Sequence, residues 1–286
     1  MRALLICIVL ITTQVLTFGQ TTRKDTSAKA GEPLIMGATR PAYRGNLKPV
    51  RVELSAGWTF GIDADAFFKD YQVVLGGKAS GFDAPVGFGL SMSSYQLGNA
   101  SIGVSAGYYR AVVRENYDYK PRLSDTSFGP PQNITQNISL TCIPAVLTID
   151  YYPFARQFTG YVGAGVGLGA ATFVWTEEIT SSQVIGARTS GERYNDTHLV
   201  PAFSVRSGIS LGLDDELGAN IRAALTIEGA YLYMPLTAPL FAATANSFVA
   251  PTPARLKGDY KIQTGGFQLR IGFSIFIRPP PKTDGK

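Results

Sequence analysis

The one histidine of the chain, His198, stands in the run "NDTHLV" with Asp196 and Thr197 beside it. An imidazole next to a carboxylate is raw material for acid–base or nucleophilic catalysis, provided a nucleophile lies within hydrogen-bond reach. A lone polar histidine where a loop meets a strand more commonly faces solvent, so catalysis is the lesser expectation. "DADAFFKD" offers Asp63, Asp65 and Asp70 as oxygen ligands. It lacks the glycine and the distal glutamate of a calcium loop, and a helix cap or solvated loop accounts for it better. Cys142 is the only cysteine outside the N-terminal apolar run, which excludes an internal disulfide and a cysteine-based metal centre. "YVGAGVGLGA", residues 161–170, resembles a phosphate-cradling loop only in its glycine content. A dinucleotide fingerprint is spaced G-x-G-x-x-G and opens a helix. Here glycine falls on every second residue, with Val162, Ala164, Val166 and Leu168 between, which is the period of a strand with two unlike faces.

The same rule organises most of the chain. Val52, Leu54, Ala56, Trp58 and Phe60 alternate with polar or small residues, as do Val86 to Met92 and Ile102 to Tyr108. A fourth run, "NISLTCIPAVLTIDYY", changes phase near Ile143-Pro144, which predicts a bulge. Residues 161–170 make the fifth run, Phe203 to Leu211 the sixth, Ile221 to Ile227 the seventh and Phe267 to Ile277 the eighth. Short links, around Gly98-Asn99, Ala155-Arg156-Gln157 and Asp214-Asp215-Glu216, alternate with long ones at about 63–84, 115–136, 176–198 and 234–259. An even number of strands of about ten residues, with short turns at one end and long loops at the other, is the pattern of an outer-membrane barrel. The predicted fold is all-β: an eight-stranded antiparallel transmembrane β-barrel with short periplasmic turns and four long extracellular loops. A short helix is expected over 64–75, with Phe67, Tyr71, Val74 and Leu75 on one face.

A soluble barrel shows the same alternation with its faces exchanged, so the charges decide. Glu53, Asp150, Arg206, Arg222, Glu228 and Arg270 all fall in mid-strand on the glycine and serine side. An arginine turned to lipid at the midplane costs roughly 2–4 kcal/mol. These six are therefore expected in the lumen as a charge network, with Glu53, Arg270 and Glu228 brought close by barrel closure. Glycine and serine on that side leave room for their long side chains. Trp58 and Phe60, Tyr108 and Tyr109, Tyr151 and Tyr152, and Tyr231 and Tyr233 sit near strand ends, where aromatic rings mark the membrane boundary. In such a barrel the N-x-[ST] sequons at Asn99, Asn133, Asn137 and Asn195 carry little meaning.

"SLTCIPAVLTIDYYPF" followed by "GYVGAGVGLGA" resembles the central hairpin of the OmpA-like and opacity-type outer-membrane β-barrel family, and the closing "GGFQLRIGFSIFI" is similar to the family's last strand. The resemblance covers about 51–277 and implies the barrel architecture. The chain departs from the pattern by running on after Ile277 into "RPPPKTDGK", and no peptidoglycan-binding domain is seen, so cell-wall tethering is not implied.

The ends complete the domain reading. Arg2, the apolar run Ala3 to Leu16 and Thr17-Phe18-Gly19 read as a secretory signal over 1–19. Residues 20–50 are then a periplasmic tail or plug, 51–277 the barrel and 278–286 a C-terminal tail. The net charge of +5 is scattered, with no basic stripe for nucleic acid. No cofactor is implied. The expected partner is the lipid bilayer, joined by a possible protein partner at loop 234–259. That loop carries Leu236, Leu240, Phe241, Phe248 and Val249, which must fold over the barrel mouth or meet another molecule. A non-enzymatic structural or surface-interaction role is expected. A narrow pore for small solutes is the alternative, and a barrel enzyme acting on lipid or peptide at the rim comes third.

Overall fold

The computed structural model describes residues 50–97, 99–120, 127, 129–153, 158–180, 190–213, 221–241 and 259–277. The expected signal, most of the tail 20–50, the C-terminal tail, Phe248, Val249 and the turn residues Ala155-Arg156-Gln157 and Asp214-Asp215-Glu216 lie outside them. The elements are β1 (Val50–Phe60), α1 (Asp65–Leu75), β2 (Val86–Leu97), β3 (Ala100–Tyr119), β4 (Gln132–Tyr151), β5 (Phe158–Thr180), β6 (Gly191–Gly212), β7 (Ile221–Tyr233), β8 (Pro235–Ala238), β9 (Tyr260–Gln263) and β10 (Gly266–Ile277). Eight of the strands close into an antiparallel barrel in the order β1-β10-β7-β6-β5-β4-β3-β2, and β8 and β9 form a separate hairpin.

Alternation sets the two faces. Around the barrel Leu54, Phe88, Val104, Leu147, Val166, Val205, Ile227 and Phe273 point outward and are exposed, while Arg51, Glu53, Asp150, Arg206 and Glu228 point inward and are buried. A continuous apolar exterior around a charged interior is stable only with lipid outside, so the barrel spans a bilayer. Trp58, Phe60, Tyr108, Tyr151, Tyr231 and Tyr233 are exposed at the edges of this belt. Tyr109 and Tyr152, expected beside them, are buried instead. Consecutive strand residues cannot share a face, so one of each pair must turn in.

Strand length is the main departure from expectation. A tilted membrane strand needs about 9–11 residues. β1 and β10 have 11 and 12, but β3 to β6 run to 20, 20, 23 and 22. Much of the expected loops 115–136 and 176–198 is therefore strand. The predicted bulge at Ile143-Pro144 is also absent: β4 keeps one register against β5 from Asn133 to Tyr151, with Ile143 opposite Ala170 and Pro144 opposite Gly169. The polarity of the two faces changes there instead. Below Pro144 the outward residues are apolar (Ala145, Leu147, Ile149) and the inward ones pass from Val146 to the polar Thr148 and Asp150. Above it the outward residues are Thr141, Ser139, Asn137, Thr135 and Asn133, while Cys142, Leu140, Ile138 and Ile134 point in and are buried. The solvent has changed from lipid to water, and the backbone has not shifted.

The paired registers show the same inversion across the sheet. Ile143, Ala170 and Leu199 form one outward row, which Tyr108 continues on β3 by the register kept on either side of it; the next outward row up is Arg110, Thr141, Thr172 and Thr197. Below the change the sheet is a membrane barrel, and above it β3 to β6 form a four-stranded sheet with an apolar inner face. Helix α1 and the β8–β9 hairpin pack against that face, burying Phe67, Phe68, Tyr71 and Leu75 with Tyr109, Leu140, Phe173, Trp175, Leu236, Leu240, Phe241 and Tyr260. The helix expected over 64–75 is present, with Phe68 rather than Val74 fully buried. Its start is held by Asp63, whose Oδ1 accepts from the Asp65 amide at 3.1 Å, and Asp70 accepts from the Tyr260 hydroxyl at 2.7 Å. These aspartates organise a helix and its packing.

Candidate functional site

The lumen is filled by two decks of side chains. The lower one is polar and begins with the row Asp150, Gly163 and Arg206 on adjacent strands β4, β5 and β6. Gly163 carries no side chain, so Arg206 reaches across β5 to Asp150: Nε donates to Oδ1 at 2.8 Å and Nη2 to Oδ2 at 2.6 Å. A Cβ at Gly163 would stand 2.0 Å from Asp150 Oδ1. Such a bidentate pair fixes both groups and is favourable only because each charge has a partner.

Glu228 lies at the centre. Its Oε2 accepts from the Tyr161 hydroxyl at 2.7 Å, Arg206 Nη1 is 3.7 Å away, and Arg270 Nη1 is 3.7 Å from its Oε1. Arg270 also donates to Gln268. Glu53 does not join Arg270. It pairs with Arg51 and accepts from Ser274 Oγ at 2.6 Å. Arg51 further donates to Tyr152 and Thr226, at 2.8 and 3.1 Å, and lies over the Tyr161 ring at 5.2 Å. Three arginines thus face three carboxylates. Arg222 belongs to β7, but its side chain lies outside the described residues. Arg51 and Tyr161 were missed by sequence reasoning, although parity alone puts Arg51 on the face of Glu53 and Tyr161 on the face of Gly163.

The upper deck is aromatic. The Phe67 ring sits among Phe68, Tyr71, Phe173, Trp175, Phe241 and Tyr260, with centroids 5.1–6.1 Å apart. Above it a polar cap closes the core: Trp175 Nε1 donates to Gln136 Oε1 at 2.7 Å, Gln136 Nε2 donates to Glu177, and Arg193 Nη2 donates to Glu177 Oε1 at 2.8 Å. Arg193 reaches this position because the β5–β6 register shifts between Trp175 and Thr176, turning both Arg193 and Tyr194 inward. Between the decks a cavity of about 20 Å³ is bounded by Ser105, Ser204, Arg206, Glu228, Gln268 and Arg270, among others. That is room for roughly one water molecule.

This is an outer-membrane β-barrel. An apolar belt, a charged lumen and eight antiparallel strands joined by short turns at one end define the class, and its place is the bacterial outer membrane. The fold implied by the resemblance to the OmpA-like and opacity-type family is the fold observed. No protein-family model matches the chain, and no curated protein matches it in sequence. Among solved structures it is similar to the outer membrane protein OprG from Pseudomonas aeruginosa, at 16% identity over 82% of this chain and 97% of that one, with a TM-score of 0.41. Neisserial surface protein A gives 10%, 81%, 97% and 0.37. Ail, the attachment invasion locus protein of Yersinia pestis, solved with the heparin analogue sucrose octasulfate, gives 11%, 81%, 98% and 0.29.

His198 lies on β6 above the belt. Its Nε2 is 2.8 Å from the Tyr194 hydroxyl and 3.5 Å from Asp196 Oδ2. Partial burial, with Asp196 adding, raises the Tyr194 pKa above the ordinary tyrosine value, and the imidazole tautomer sets which of the two groups donates. The nitrogen a base would use is already engaged. In the described part of loop 234–259, Leu236, Leu240 and Phe241 fold inward and complete the aromatic deck.

Proposed function

We propose that this protein is a closed, non-enzymatic barrel that anchors a folded platform outside the membrane, with a structural or surface-interaction role. The observation that carries the reading is the stacking of two dense decks around a cavity of only about 20 Å³. A conducting pore needs a continuous wet path, and here a charge-paired layer and an aromatic layer stand in series. The engaged His198 favours a binding protein over a hydrolase. The described apolar residues of loop 234–259, Leu236, Leu240 and Phe241, pack inside the plug, and we assign protein partners to the outer face of β3 to β6. Planar-bilayer recording on the full-length barrel tests this: a silent membrane is expected, and steady single-channel steps would replace the reading with a pore. Lipid or peptide turnover that disappears in His198→Ala would replace it with an enzyme.

A further inference from the structure

We draw no further inference here: the strongest candidate, the edge of β6 over residues 191–202, which above the pairing of Phe203 with Tyr233 has no strand on its far side from β5 among the described residues, carries nothing because nothing in the structure shows what covers it.

Discussion

Gly163→Ala is the sharpest perturbation of the lower deck. A single methyl group is added on an extended strand, and its carbon would lie 2.0 Å from Asp150 Oδ1 and 2.9 Å from the Ile149 carbonyl oxygen. Real contacts of that kind are more than 1 Å longer, so the carboxylate must leave its place between β4 and β6. Both Arg206 hydrogen bonds, at 2.8 and 2.6 Å, are then lost, and a buried guanidinium keeps only the 3.7 Å approach to Glu228. Breaking a buried pair from one side costs about 3–5 kcal/mol. Propensity works in the opposite direction, since alanine is favoured over glycine in a strand interior by roughly 0.5–1 kcal/mol, leaving a net loss of about 2–4 kcal/mol. Urea unfolding in micelles would measure it, with the two tryptophans as separate reporters: Trp58 on the lipid belt and Trp175 in the aromatic deck. With Asp150→Ala as background there is no carboxylate to displace and only the 2.9 Å approach to the Ile149 carbonyl oxygen remains, so the same substitution should cost markedly less. Wild-type stability in Gly163→Ala, or an equal loss in both backgrounds, would refute the account of why glycine lines this strand.

Leu147→Arg and Asn137→Arg lie on one strand and one face, and the first should cost roughly 2–4 kcal/mol while the second stays within about 0.5 kcal/mol, as read by urea midpoints in lipid. Phe67→Ala should cost about 3–5 kcal/mol, seen by Trp175 before Trp58, and the barrel should remain non-conducting because the charged deck is untouched. Asn137→Cys should react on intact cells with a membrane-impermeant maleimide; Ser105→Cys, which faces the lumen, should not, and Cys142 is buried and silent.

The sequence carried the membrane half of the molecule plainly, because lipid outside and charge inside write a period of two onto every strand. Pairs on one face were legible from parity, as with Arg51 and Glu53, but which charge meets which was not. Glu53 finds Arg51 and Ser274 rather than Arg270, since barrel tilt and the lengths of facing side chains set those distances. The phase change at Ile143-Pro144 was visible as a signal and took a different meaning in three dimensions. An apolar side chain that switches faces can report a bulge or a change of surroundings, and one strand alone cannot distinguish them.

From the chain by itself came the number of barrel strands, the solvent on each side of the belt, the helix near Phe67 and the crowd of charges on the glycine face. Each follows from local spacing and the cost of placing an ion in oil. Only the folded molecule decided that four strands continue beyond the bilayer, that their apolar residues turn inward, and that α1 and the β8–β9 hairpin fill the space they enclose. Those outcomes depend on contacts between segments up to about 200 residues apart, such as Asp70 with Tyr260, and no local period encodes a partner at that distance.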